Sequence, residues 1–485
     1  MEKFFVPVPQ IRGCLLAVSS LCLALGGCAW MPTLERPPDM KEVAASDVSQ
    51  ALKGEARHFP AEQWWTFYGD EELNRLVEEG LAQSPSMTIA EARLNQAKAM
   101  AGIAESALFP DADANASLTM EKQSGESLMK SSAQRRWRDY AQATLDFRWE
   151  IDFWGKNRAA LAAALSTADA AVAEQAEARL VLTASIATEY GEMARFYAIH
   201  DTLMAHIRVR KTSLRLFKRR FDEGLETLAS VKQQEARLAS SEQEIAEVEE
   251  RIALQRNKIA ALMGAGPDRG LAIRKPRLRA SSGFALPATI HLALLGRRPD
   301  IVAARKRVES ASSTIEERKA EFYPNVNLLA FIGVQSLGVN HLLTSKSDFG
   351  SIGPAISLPI FNGGYLRSRL FVAQATLEEA IGNYNQTVTH ALQQVADAAV
   401  SQRSLGRQLR KINAATDAAK EAHRIVKKRY EGGLSNYLEV LTAEETFLTT
   451  LRTRSDLQSR SFLLDVALIR ALGGGYRMPG NNTSQ

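Results

Sequence analysis

Between Ala141 and Phe153 the chain reads AQATLDFRWEIDF, with every odd position apolar or small and every even position polar or charged. Alternation of this length makes a strand with one oily face and one wet face. Trp154-Gly155-Lys156 follows directly, and from there no Pro or Gly interrupts the chain until Gly191. A two-faced strand feeding so long a helical stretch suggests a membrane barrel standing on a helical shaft. A related arrangement lies near residues 350–370.

The same pattern predicts four strands, at Asp111–Lys122, Ala141–Phe153, Val326–Gln335 and Ser351–Ile360. Strands of this length suit a tilted outer-membrane barrel, which needs about 9–11 residues per crossing. Four strands cannot close, since the smallest barrels have about eight. An open edge in lipid leaves N–H and C=O groups unpaired at several kcal/mol each, so the pattern nearly forces oligomerisation. Two, three or four chains would supply eight, twelve or sixteen strands.

From Lys156 to Asp222 the helical pattern hardly breaks. Leu182, Ile186, Met193, Phe196, Leu203, Ile207, Leu214, Phe217 and Phe221 all fall on one series of three- and four-residue steps. Such a helix would be about 100 Å long. A turn at Gly224 sends the chain back through Val231, Leu238, Ile245, Ile252 and Ile259, spaced seven apart as in a coiled coil. The second half repeats the first. Pro85 and Phe109-Pro110 correspond to Pro299 and Tyr323-Pro324, while Arg220-Phe221, Gly224 and Val231 correspond to Arg429-Tyr430, Gly433 and Val440. A second long helix is expected from Leu366 to Glu431, with a return within 436–472 opened by Asn436 and Glu439 in capping-box spacing. The chain is an internal duplication.

Lys3, Arg12 and the apolar run Cys14 to Leu25 make a signal segment over residues 1–27, too short to span a bilayer as a helix. It ends in Leu25-Gly26-Gly27-Cys28, which resembles the lipobox of bacterial lipoproteins and implies a lipidated Cys28. Cleavage there removes Cys14 and Cys22 and leaves no intrachain disulfide. The formal charge is +5, spread along the chain rather than gathered in a patch, which does not argue for nucleic acid. The seven His residues show no metal-ligand spacing, Gly264-Ala265-Gly266 fails the GxGxxG pattern, and no HExxH or serine-hydrolase elbow occurs. The sequence carries no sign of an enzyme and calls for no cofactor beyond the lipid.

The segments QWWTFYGDEELNRLV (63–77), RRPDI (297–301), SLPIFNGG (357–364) and RYEGGLSNYLEVL (429–441), with the lipobox, resemble the TolC-like outer-membrane efflux proteins. The resemblance covers nearly all of the mature chain. It implies a mixed α and β membrane protein: a homotrimer completing a twelve-stranded barrel, continued by a long periplasmic α-helical barrel. In that organisation residues 28–84 form a lipidated strap and equatorial segment, 85–264 the first repeat, 265–298 an equatorial linker, 299–472 the second repeat and 473–485 a tail. The implied site is the cell outer membrane, lipid-anchored and reaching into the periplasm. The implied partners are outer-membrane lipid, a periplasmic adaptor (membrane fusion) protein and an inner-membrane resistance-nodulation-division transporter. The cargo would be drugs, metals or other small toxic compounds.

A channel of this kind closes at its periplasmic tip, so the turns at Gly224 and Gly433 carry the gate and docking candidates Arg220, Asp222, Glu226, Arg429, Tyr430 and Glu439. The chain has Ser230 and Thr442 where relatives often have Asp, so Glu439 or Glu226 would supply the acidic charge. Two other readings stay open: a TolC-like channel for type I protein secretion, and a coiled-coil structural lipoprotein without a pore. The strands inside both repeats weigh against the second.

Overall fold

The computed structural model describes residues 31–41, 60–122, 137–278 and 296–477. Cys28, the signal segment 1–27 and residues 123–136 lie outside them. The chain divides into two compact units.

The first unit holds residues 31–39, 95–122, 137–169 and 305–383 of the described chain. Its centre is one antiparallel sheet in the order β1-β2-β3-β4, built from β1 (Asp111–Lys122), β2 (Trp137–Glu150), β3 (Asn325–Leu337) and β4 (Asp348–Ser357). Within each repeat the strands form a hairpin, and β2 and β3 join the two hairpins.

Two strands end earlier than their alternation suggests. The pattern runs to Phe153, yet β2 stops at Glu150. The polar residue that would continue it, Asp152, turns back to accept from the backbone N–H groups of Asn157 (3.2 Å) and Arg158 (2.9 Å) at the start of the next helix. Orphan N–H groups at a helix start outbid one more strand pair. Likewise β4 runs over Asp348–Ser357 rather than to Ile360, because Pro359 has no N–H to extend the ladder.

The helices repeat in length as well as in order. Helix α2 (Pro85–Ser106) and α6 (Pro299–Ala320) have 22 residues each. Helices α3 (Lys156–Asp222) and α7 (Tyr365–Glu431) have 67, and their return partners α4 (Leu228–Leu262) and α8 (Tyr437–Ala471) have 35. No helix among the described residues is long and apolar enough to cross a membrane.

The second unit holds residues 40–41, 60–94, 170–278, 296–304 and 384–477 of the described chain. Its core gathers Trp64, Tyr68, Leu73 and Leu76 against Ile186, Tyr190 and Met193 of α3, Ile259 of α4 and Ile469 of α8. Helix α1 (Glu71–Gln83) is capped by Asp70, whose Oδ1 accepts from Glu72 N (3.0 Å) and Leu73 N (3.3 Å). Its Oδ2 accepts from the Tyr190 phenol (2.9 Å) and the Arg277 amide (2.8 Å). Burial, and after it that carboxylate, push the Tyr190 pKa far up. A short helix, α5 (Pro267–Leu271), carries Arg269, which makes a bidentate pair with Glu79 of α1. Of the α3 seam, Leu182, Ile186, Met193, Leu203, Ile207 and Phe217 are buried, whereas Phe221, at the end of the helix, is exposed.

Candidate channel faces and periplasmic gate

The sheet register sorts its side chains into two faces, because residues directly opposite across a ladder point the same way. Leu145 lies opposite Ala114 and Ile332, and Phe147 opposite Ala112 and Ala330. This is the oily face, and its large side chains stand exposed. Thr144 lies opposite Asn115 and Gly333, and Asp146 opposite Asp113 and Phe331. On this second face Asp146 accepts from Asn115 (2.9 Å) and Thr144 (2.8 Å), while Tyr140 donates to Gln335 (2.8 Å). The wet face is not uniformly wet: Phe331 and Phe349 share it, with ring centroids 5.2 Å apart.

At the far turns the duplication is reproduced bond for bond. Leu225 N donates to Arg220 O (2.8 Å) around Gly224 at φ 73°, and Leu434 N donates to Arg429 O (2.7 Å) around Gly433 at φ 74°. Glycine fits both places because the left-handed conformation costs it no Cβ clash. Thr227 then caps α4 at Ser230 N (3.2 Å), and Asn436 caps α8 at Glu439 N (2.9 Å).

The candidate gate residues part company here. Tyr430 is 2% exposed; it stacks on Phe217 with centroids 5.4 Å apart and packs with Val231 and Val440. Its phenol donates to Glu226, and the Arg220 guanidinium lies over its ring at 4.6 Å. Arg220, Glu226 and Tyr430 thus form one contact between the two repeats. Arg429 instead donates to Leu434 O of its own turn (3.1 Å), and Glu439 accepts from Ser435 of its own cap (2.7 Å). Asp222 is exposed at the end of α3. Only half of the capping box expected at Asn436 forms, since the Glu439 side chain goes to Ser435.

About ten residues up α3 from the tip lies a second polar group, outside the six gate candidates. Glu444 of α8 is buried, accepts from Ser213 (3.1 Å) and faces the Arg210 guanidinium at 3.9 Å. His206, one turn from Arg210, is also buried; desolvation and then Arg210 and Arg452 press its pKa down to about 4. His423 of α7 is held below its usual range by burial and stacks on Phe447. The missed signal was the seam itself: Ile207, Arg210, Leu214 and Phe217 continue the three- and four-residue steps, so Arg210 occupies an apolar position.

The RRPDI segment proves to be an anchor. Arg298 is buried, makes a bidentate pair with Asp300 (3.0 and 2.6 Å), and donates to Gln394 of α7 and Ala471 O of α8 (both 2.9 Å).

A family model described as outer membrane efflux protein matches the chain twice, over residues 76–265 and 291–474. The chain belongs to that family. This outer membrane efflux protein is 35% identical over 376 residues to the fusaric acid resistance protein FusA of Burkholderia cepacia, covering 76% of this chain and 70% of that one. It is 29% identical over 477 residues to the multidrug resistance outer membrane protein MdtQ of Escherichia coli O157:H7, covering 95% and 98%. Its fold matches the crystal structure of the outer membrane protein VceC of Vibrio cholerae with a TM-score of 0.83 and 44% identity, over 86% of this chain and all of that one. The efflux protein is therefore an outer-membrane component that extends into the periplasm, with a TolC-like mixed helical and β fold, and not an enzyme.

Proposed function

We propose that three copies of this outer membrane efflux protein close their sheets into one twelve-stranded barrel and serve as the exit channel of a tripartite efflux pump. The observation that carries this reading is the sheet order: β1 and β4 are the edges of a four-stranded sheet with one oily face. In lipid those edges need partners, and another copy offers the complementary strand. The oily face would meet lipid and the face of Asn115, Thr144 and Asp146 would line the pore. Lipid on Cys28 would add a second anchor.

The helical hairpins would hang into the periplasm and close at the turns around Gly224 and Gly433, with the Tyr430 to Glu226 contact as part of the closed state. A periplasmic adaptor would dock there and an inner-membrane resistance-nodulation-division transporter would supply the solute. An open groove of about 460 Å³ between α7 and α8 is lined by Ala419, Ala422, Val426, Leu438 and Ala443 with Glu439 and Thr442 among them, and a partner helix could lie in it. Relatives named for fusaric acid and multidrug resistance support small toxic molecules as cargo.

The test is a mass and conductance measurement on the purified protein. A trimer that forms discrete channels in a planar bilayer is expected. A stable monomer, or a trimer that carries no current even with its tip contacts removed, would overturn the reading.

A further inference from the structure

We propose that Arg210 and Glu444 form a buried charged latch that fastens α8 to the α3–α4 hairpin and so positions the second hairpin for opening. The proposal rests on the channel reading above only in that opening requires the hairpins to part.

One guanidinium holds three helices. Arg210, on α3, donates from Nη1 to Arg237 O and Ser241 Oγ of α4, both at 2.6 Å. The same group reaches α8 at Glu444 (3.9 Å) and Glu445 (3.6 Å), and Arg237 also meets Glu445 at 3.7 Å. Glu444 is 3% exposed, and its carboxylate meets Arg210 and accepts from the Ser213 hydroxyl. Both residues stand on apolar seams: Arg210 between Ile207 and Leu214, Glu444 between Leu441 and Leu448. A charge at a seam position costs stability and fixes which partner lies opposite.

The Arg210 Nε lacks a hydrogen-bond partner and sits at ion-pair distance from Glu444. The pair therefore has slack: it resists separation without being a closed hydrogen-bonded fork. Removing Arg210 leaves Glu444 buried without its cation, whereas removing the Glu444 charge leaves Arg210 with Glu445 alone on α8 and so loosens the hold on that helix.

The duplication makes the latch one-sided. The offset that carries Arg220 to Arg429 carries Arg210 to Ala419, and carries Glu235 to Glu444. Ala419 has no charge to offer, and Glu235 is occupied by Lys218 and Lys232 of its own hairpin, both at 2.9 Å. The contact from first to second hairpin is thus charged and latched. Any contact made by the reverse faces, as between copies, lacks the pair. Each chain's own hairpins would hold together at this level while the seam on the other side gives way first.

The test is a double-mutant cycle on the purified full-length trimer with Arg210→Gln, Glu444→Gln and the two combined. Channel conductance in planar bilayers and amide exchange of the α8 segment 437–450 are read in parallel. Glu444→Gln keeps shape and the Ser213 contact, so it reports even where Arg210→Gln folds poorly. Each single change should raise both readouts by about threefold or more, and the double should do no more than the larger single. Wild-type values for Glu444→Gln would overturn the latch, and so would multiplicative effects in the double. Faster exchange at unchanged conductance would assign the pair to register alone and overturn its part in opening. A wild-type trimer without current would sink the channel reading instead, and the exchange cycle would still judge the pair.

Discussion

The phenol of Tyr430, in the second repeat, donates a hydrogen bond to the carboxylate of Glu226, in the first. The bond crosses between hairpins whose tips are otherwise copies of one turn, and Arg220 covers the same ring. A hydrogen bond to a charged acceptor contributes about 1.5–3 kcal/mol. Tyr430→Phe and Glu226→Gln should each raise the conductance of the isolated protein. Arg429→Ala should change it less, because Arg429 serves its own helix end. Equal effects of Arg429→Ala and Tyr430→Phe would move the closing contact away from this ring.

The two faces of β2 should differ sharply in what they tolerate. Leu145→Arg places a charge on the oily face and should cost about 2–4 kcal/mol near the bilayer midplane. Thr144→Arg, one residue away on the wet face, should lose only its bond to Asp146, about 1 kcal/mol. Denaturant titration of protein folded into vesicles measures both. Similar losses would sink the assignment of faces.

Acid should loosen the helical region through His206. Its native pKa of about 4 lies below the ordinary 6.5, so between those values the unfolded chain binds more protons than the folded one. Stability is therefore complete at neutral pH, falls as pH drops from about 6.5 to about 4, and levels off below. The groups facing it are Arg210 on its own helix and Arg452 from α8, which pairs with Glu244 of α4 at 3.5 Å. The loss can reach about 3 kcal/mol. Urea midpoints taken across this range should flatten in His206→Gln. An unaltered slope would mean that other groups carry the acid response.

Close packing of α3 on α8 depends on one missing methyl group. A Cβ at Gly191 would stand 2.5 Å from Phe462 Cδ1 and 2.8 Å from Leu463 Cδ2. The Phe462 ring has little room to yield, being 4.6 Å from Tyr68. Gly191→Ala should destabilise by about 1–3 kcal/mol. At Gly406, with no atom within 4 Å, the same change should be neutral or stabilising. Thermal unfolding of the two variants decides between them.

Cys28→Ser should abolish incorporation of labelled fatty acid and leave a slower-migrating precursor. Normal labelling of the variant would end the lipid assignment.

Much of the architecture could be read because it is periodic. Alternation marked the strands, three- and four-residue steps marked the seams, and Gly224, Asn436 and Gly433 marked the ends. What could not be read was decided by competition or by distance. Asp152 looks like a strand residue until the helix beyond it needs a cap. Arg210 is a cation at an apolar seam position, and only the fold brings Glu444 to it from 234 residues away in sequence. Among the tip residues, nothing local separates Arg429 from Arg220; one meets its own turn and the other a ring from the second repeat.

Asp70 also carries a statement about the order in which the chain can mature. Its Oδ1 caps α1 with neighbours already at hand, but its Oδ2 waits for Tyr190 and then for Arg277, which lies 207 positions on. A carboxylate cannot leave water cheaply until its partners arrive. As the chain emerges from its N-terminus, the core around Trp64, Trp65 and Tyr68 therefore stays incomplete until Arg277 arrives from beyond the first repeat, and the Tyr68 ring waits for Phe462 in the second. That interval is one in which a holding chaperone would have three aromatic rings to grip.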